Sequence, residues 1–220
     1  MPVKSRYVVP MDRGRLEAFS DGVFAVAITL LALNLTVEGP GLLHQLYLHR
    51  WSFAAYLISF FTIGIIWVNH HALIRSIKTV DRMLLFLNLV LLLFVVLIPF
   101  STTTVAQYLP SNNWDARVAM ALFAGVFLGM SLGFGAILEW TLHGDRVYQP
   151  VPPERRWAAR IRFMGGTGVY VIAVVVALFS AYAAFILTGL IAVYYILENT
   201  PTSPASPDSS DSSDSSPLVG

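Results

Sequence analysis

The sequence contains no cysteine and little charge. Among its 220 residues, 0 are Cys and only 12% are Asp, Glu, Lys or Arg, whereas 56% are hydrophobic. The absence of thiols excludes disulfide bonds, thiolate metal sites and cysteine nucleophiles. Soluble domains are about 25% charged, so this chain carries roughly half the charged surface that a water-exposed fold usually has. The composition therefore predicts an integral membrane protein.

The chain also lacks a recognisable leader and a catalytic motif. Its first residues contain no apolar core followed by a small-residue cleavage site, so we expect no removable signal peptide. No nucleophile elbow, phosphate-binding loop or pair of carboxylates suited to acid–base chemistry is found. We therefore predict that the protein is not an enzyme and has neither a cofactor nor a nucleic-acid partner.

Long apolar runs occupy most of the chain. A bilayer core of about 30 Å requires about 20 apolar residues in a helix. Five runs are long enough: about 16–37, 51–71, 83–107, 116–140 and 163–181. A sixth run at about 183–198 is short, but one helix over the last two runs would be about 54 Å long, which is too long to span. We therefore predict an all-α protein with six transmembrane helices in a domain over residues 1–198.

Charge and composition predict how the two termini are disposed. Twelve of the 14 Lys and Arg residues lie in the N-terminal segment and in the loops after the second and fourth runs, whereas the opposite face keeps only Arg50 and Arg117. Because positive residues stay in the cytoplasm, both termini are predicted to be cytoplasmic. Residues 199–220 are rich in Ser, Pro and Asp, and such a segment buries too little apolar surface to fold. We predict a disordered tail there.

Polar residues interrupt the first two runs at one depth. Asp21 lies about 9 Å into the membrane from Arg15, and His70 lies about 7.5 Å in from Arg75, at 1.5 Å per residue. A carboxylate at this depth is costly unless it is paired. We therefore predict a buried network that joins the first two helices and contains Arg15, Ser20, Asp21, Trp67, His70 and His71.

Two neighbours of this network have simpler interpretations. We interpret Glu17 as an ordinary interfacial residue. His70 and His71 are adjacent, and adjacent side chains on a helix point about 100° apart, whereas helical metal ligands are three or four residues apart. We therefore expect no metal site.

The first polar residues form a recognisable motif. The run RLEAFSDG, Arg15 to Gly22, fits the R-x-x-x-F-S-D-G signature of the first helix in the transmembrane protein 175 family. The run WVNHH, Trp67 to His71, resembles that family's second-helix pattern. Over residues 12–198 the chain thus resembles lysosomal potassium channels and their bacterial relatives. The resemblance implies a multi-pass protein of the bacterial inner membrane that assembles as a homotetramer and conducts potassium ions.

The resemblance also implies roles for residues of the first helix. In this family the first helix lines the pore, no conventional filter loop is present, and rings of apolar side chains narrow the passage. By offset from Phe19, these rings fall on Val26, Leu30 and Leu33, and a selectivity hydroxyl falls on Thr29. Valine is smaller than the residue usual at the first ring, so the resemblance does not decide which of the three rings is the narrowest. The motif residues, Phe19 included, brace the first helix against the second.

A second class of function competes with the channel. A proton-coupled secondary transporter would use Asp21 and either His70 or His71 as titrating groups. Transporters usually carry internal repeats and helices broken at the midplane. The first run is continuous and apolar, and no convincing repeat relates the first three runs to the last three. The sequence therefore favours a potassium-permeable channel over this alternative.

Three glycines in the fourth run predict close helix packing. Gly125, Gly129 and Gly133 are four residues apart, and small residues at this spacing allow two helices to approach closely. We interpret them as contacts within one subunit.

Overall fold

The regular elements of the chain are helices. The structure, a computed structural model, describes residues 12–197 except 38, 144–145 and 149–151. The helices are α1 (Arg13–Leu33), α2 (Leu42–Leu48), α3 (Arg50–Ser76), α4 (Arg82–Tyr108), α5 (Trp114–Leu142), α6 (Pro153–Phe179) and α7 (Ala181–Leu197), and a 3-10 turn (Leu109–Ser111) extends α4. The all-α prediction is confirmed. The tail predicted over residues 199–220 lies outside the described residues.

Five of these helices are long and apolar enough to cross a membrane: α1, α3, α4, α5 and α6. The remaining long element, α7, is an apolar helix of 17 residues. It is separated from α6 by the extended residue Ser180 (φ −149°, ψ 112°), so the chain breaks between the last two predicted runs. The helix α6 begins at Pro153, well before its apolar run. Proline is compatible with the first position of a helix.

Short polar side chains start three of the long helices. A carboxylate oxygen of Asp12 accepts a hydrogen bond from Gly14 N, and Asp81 accepts one from Leu84 N at 2.8 Å. The amide oxygen of Asn113 does the same at the start of α5. Such caps satisfy backbone N–H groups that have no partner within the helix. They place the helix starts outside the apolar runs.

The helices form two groups that meet along one face. In the first group α1, α3 and α4 contact one another, in the second α5 contacts α6 and α7, and the α4–α5 contact is the most extensive in the bundle. A Cβ atom on Gly129 would overlap the ring of Phe94, and one on Gly133 would lie 3.0 Å from Leu91 Cα. Both glycines therefore allow close packing within one chain, as predicted.

The loops that follow α3 and α5 pair with each other at one end of the bundle. The backbone N–H of Lys78 donates to the carbonyl of Arg146 at 2.8 Å, and Ile77 forms an isolated antiparallel bridge with Val147. We call this the basic end: α1, α4 and α6 begin here, and α3 and α5 end here. Its described basic residues are Arg13, Arg15, Arg75, Lys78, Arg82, Arg146, Arg155, Arg156 and Arg160.

Candidate functional site

The helix α1 has two chemically different faces. Its buried residues follow a helical spacing and face α3 and α4: Leu16, Ser20, Phe24, Ala27 and Leu31. Its exposed face carries large apolar side chains, of which Val26 is 57%, Leu30 39% and Leu33 74% exposed. Residues three or four apart share a face of a helix, so these side chains form one continuous exposed stripe. One chain therefore buries one side of α1 and leaves the other uncovered.

A buried amide joins the three helices of the first group. The Nδ2 of Asn88, on α4, donates to the hydroxyl of Ser20 at 3.0 Å, and Nε2 of His70, on α3, lies 2.7 Å from Asn88 Oδ1. Because a carbonyl oxygen can only accept, this bond assigns the proton of His70 to Nε2. All three side chains are at most 1% exposed. We call this set the Asn88 bridge.

A second polar set lies on the surface of α1 and α3, beside the Asn88 bridge. The indole N–H of Trp67 donates to Asp21 Oδ1 at 2.9 Å. One oxygen of Glu17 lies 3.0 Å from His71 Nδ1 and 3.2 Å from Arg75 Nε. The side chains of Asp21 and His71 are 36% and 30% exposed, so solvent reaches this set. We call these five residues the Glu17–Asp21 cluster.

The structure divides the predicted network and leaves Arg15, together with the motif residue Phe19, outside it. Ser20 and His70 lie in the Asn88 bridge, whereas Asp21, Trp67 and His71 lie in the Glu17–Asp21 cluster. Among the described residues, Arg15 has no hydrogen-bond or ion-pair partner, and it is exposed. Phe19, four residues later on the same face, is 54% exposed. The arginine that reaches α3 is Arg13, whose guanidinium donates to the carbonyl of Arg75 at 3.0 Å.

Three members of these sets, Asn88, Glu17 and Arg75, were missed by the sequence analysis. Asn88 is the single amide in the apolar run LLFLNLVLLLF, and an isolated amide in such a run is a signal for a buried polar partner. Glu17, interpreted there as an interfacial residue, instead contacts both His71 and Arg75.

The Glu17–Asp21 cluster also has the composition of a cation site. Ligand atoms of Glu17, Asp21 and His71 lie within 4.8 Å of one another. Two carboxylate oxygens and one imidazole nitrogen suit several divalent ions. However, both carboxylates already have partners, because Arg75 pairs with Glu17 and Trp67 donates to Asp21. The geometry is therefore accounted for by contacts within the chain.

The hydroxyl of Thr29 lies beside the exposed apolar stripe. It donates to the carbonyl of Val26 at 2.8 Å, and the residue is exposed. A hydroxyl has one proton and two lone pairs, so a side chain that donates to its own helix keeps its oxygen available as an acceptor. The exposed face of α1 thus combines apolar side chains with one outward hydroxyl oxygen.

Known proteins resemble this chain over most of its length. The family model of the endosomal/lysosomal potassium channel TMEM175 matches residues 15–99, which contain the Asn88 bridge and the Glu17–Asp21 cluster. A potassium channel of Streptomyces collinus is 40% identical over 195 residues, covering 86% of this chain and 94% of the relative. The crystal structure of a lysosomal potassium-selective channel TMEM175 homolog from Chamaesiphon minutus has a TM-score of 0.76 at 32% identity, covering 86% of this chain and 98% of that one. The endosomal/lysosomal proton channel TMEM175 of Gallus gallus is 29% identical over 135 residues, which cover 54% of this chain and 27% of that protein.

Proposed function

Because this chain belongs to the TMEM175 family, which consists of ion channels and not enzymes, we propose that it is a potassium-permeable channel whose pore is lined by α1. The similarity to a potassium channel over nearly the whole of both chains supports the choice of potassium. The animal relatives are named proton channels, so proton permeation is the comparison that any test must include.

The proposed channel is a homotetramer of six-helix subunits in the bacterial inner membrane. In this arrangement α7 is the sixth span, and the extended residue Ser180 makes the turn that reverses the chain. The basic end faces the cytoplasm, as the distribution of Lys and Arg requires. Both termini are then cytoplasmic.

The exposed stripe on α1 is the observation that carries the pore assignment. The opposite face of this helix is fixed by hydrogen bonds to α3 and α4, so its orientation within the subunit is specified. The other long helices also expose large apolar side chains, which can face lipid, so it is the resemblance to the TMEM175 family that favours the stripe with Leu30 and Leu33 as the one that would face the pore. Four copies around an axis would bring these stripes together. Arg15 and Phe19, exposed in one chain, lie on the same face of α1 and would continue the stripe toward the basic end.

Conduction through such a pore would depend on hydration. Val26, Leu30 and Leu33 would form stacked apolar rings, and rings of this kind impede ions because water leaves the constriction. The hydroxyl oxygen of Thr29 would lie between the first two rings. There it can coordinate a cation that is losing its water. We therefore assign the preference for potassium to Thr29, and we assign the barrier to ion flow to the apolar rings.

Two substitutions test this assignment. In planar bilayers under potassium, sodium and proton gradients, Leu30→Asn is expected to wet the constriction and raise the current. Thr29→Val is expected to reduce the preference for potassium, whereas Thr104→Val, which also removes a hydroxyl bonded to its own helix, should leave it unchanged.

The same recordings distinguish the competing functions. Unitary currents that reverse near the potassium potential support a channel, whereas coupled proton transport without unitary currents would support the transporter that uses Asp21 and His70 or His71. If Leu30→Asn and Thr29→Val assemble normally and change neither conductance nor reversal potential, α1 does not line the pathway.

A further inference from the structure

A long cavity lies between α3 of the first group and the helices of the second group, away from α1. It has a volume of about 340 Å³ between α3, α5, α6 and α7, within the roughly 300–1,000 Å³ of ligand sites. Ser76 and Ala159 line it at the basic end, and Thr62 and Ala192 line it deeper in the bundle. Ser76 and Thr62 are about 21 Å apart along α3 at 1.5 Å per residue. We call this cavity the inner crevice; it is narrow and elongated.

The polar side chains of the inner crevice offer little to a polar ligand. Thr62, Asn69 and Ser76 donate to carbonyls of α3 itself at 2.7, 3.0 and 2.7 Å. Ser131 shares a hydrogen bond of 2.7 Å with Thr167. These donors are already used, although the oxygens remain available as acceptors, and most of the other lining side chains are apolar. A hydrocarbon chain fits such a space better than a polar metabolite does.

A second apolar depression runs beside the first. It has a volume of about 380 Å³ between α5 and α6, and Gly135, Ala136 and Met164 line it. We call it the outer groove. Phe163 lines both depressions, and its ring stacks on Phe134 with centroids 4.8 Å apart. Ser131 and Leu138 also line both, so the molecule presents two adjacent, largely apolar channels, and the ion pair of Glu139 and Arg160 lines the outer one.

A cation lies above the inner crevice at the basic end. Arg155 is four residues before Ala159, so it occupies the same face of α6 one turn farther out. It is exposed and has no hydrogen-bond or ion-pair partner among the residues that the structure describes. By contrast, Arg160 is held by Glu139 through two bonds of 2.6 and 2.8 Å. Trp157, 64% exposed, is the type of residue that lies at a membrane–water interface.

We propose that the inner crevice and the outer groove hold one anionic phospholipid, with one acyl chain in each and the phosphate at Arg155. Two adjacent channels match the two chains of a phospholipid, and a guanidinium that has no partner among the described residues matches the charge of its headgroup. The proposal rests on the membrane setting of the proposed function, but it does not depend on which helix lines the pore.

Photocrosslinking in liposomes tests the site. The probe is phosphatidylglycerol with a diazirine on one acyl chain, compared with phosphatidylcholine that carries the same group. Adducts on the full-length protein are expected on peptides that contain residues 72–76 and 159–164, and more from phosphatidylglycerol. Ala192→Phe fills the inner crevice and should reduce these adducts about tenfold, as expected when several methylenes lose their burial. Ala183→Phe, an exposed position on the same helix, should not.

Further variants separate the two parts of the proposal. Arg155→Gln should abolish the preference for phosphatidylglycerol, whereas Arg117→Gln, at the opposite end of the bundle, should preserve it. Ala159→Leu narrows the crevice near its mouth and replaces Ala192→Phe if that variant does not elute as a single species.

Three results would overturn the proposal: no adducts on these peptides, adducts that Ala192→Phe or Ala159→Leu does not reduce, or equal labelling by the two lipids. Crosslinks to a second copy of the chain at the crevice would also contradict it. Currents recorded from the same liposomes report on the channel separately, so labelled protein without currents would refute the proposed function alone.

Discussion

The helices inside the first group and the helices inside the second group are held together by different kinds of contact. Between α1, α3 and α4, side chains of different helices exchange hydrogen bonds, as in the Asn88 bridge and between Ser59 and Thr102 at 2.7 Å. Between α6 and α5, the polar bonds are only partly buried: Ser131 with Thr167, and Glu139 with Arg160. Close steric contacts accompany them, since Gly135 lies against Phe163 and a Cβ atom on Gly166 would overlap the Tyr195 hydroxyl. Lipid provides no hydrophobic force between helices, so packing alone can join them, while hydrogen bonds also fix their rotation. The fully buried side-chain bonds between helices thus occur in the group that orients α1.

The largest expected effect comes from removing the amide of the first group. Asn88→Ala leaves the hydroxyl of Ser20 and the ring of His70 without this partner, and we expect a loss of about 2 kcal/mol in the free energy of unfolding. Asn69→Ala removes an amide that donates to its own helix and should cost less than about 1 kcal/mol. Unfolding by sodium dodecyl sulfate in mixed micelles, followed by circular dichroism, measures both. Equal losses would show that a hydrogen bond between helices contributes no more to the free energy of unfolding than one within a helix.

A smaller effect is expected at the solvent-exposed part of the same group. Asp21→Ala removes the acceptor of the Trp67 indole and should cost about 1–2 kcal/mol. Asp21→Asn retains an acceptor oxygen and should recover most of that loss in the same unfolding assay. If the two variants are equally unstable, the charge beside His71 matters and the bond to Trp67 does not.

The seam between the two groups should respond to volume rather than to polarity. Gly133→Ala places a methyl group against the backbone of Leu91, which cannot move aside as a side chain can, and should cost about 1 kcal/mol. The control is Gly125→Ala, where no atom lies within 4 Å of the added Cβ. That variant should be neutral or slightly stabilising, because alanine favours a helix more than glycine does. A stabilised Gly133→Ala protein would show that α4 and α5 can move apart at this contact without loss of stability.

The smallest effect is expected at the ion pair of the second group. Glu139→Gln breaks the two bonds to Arg160, but both side chains are substantially exposed, and exposed pairs contribute little. We expect a slight fall in the melting temperature at low salt and none at high salt, where screening removes the attraction. A large, salt-independent fall would show that the second group also depends on a polar contact.

The sequence predicts the class of fold better than it predicts the partners within the site. Apolar runs and the short caps Asp12, Asp81 and Asn113 mark the helices because these signals are local. The choice between Arg13 and Arg15 is not local, since residues two apart point about 200° apart on a helix and only the packed register of α1 on α3 decides which one reaches Arg75. Asn88 was missed for the same reason, because its partners come from two other helices. The inner crevice depends on side-chain volumes from four helices, and no run of sequence reveals it.

The helix α1 is bonded to other helices near its start and held by packing near its end. Its first turn is clamped, since Arg13 bonds to the end of α3, and the loop after α3 is tied to the loop after α5. Its other end at Leu33 leads into residues 34–37, which belong to no helix. The helix is about 30 Å long, so a tilt of roughly 5° about the clamped end displaces Leu33 by about 2.6 Å and Val26 by about two-thirds as much. If α1 lines the proposed pore, the same tilt would change the width of the pore more at Leu33 than at Val26.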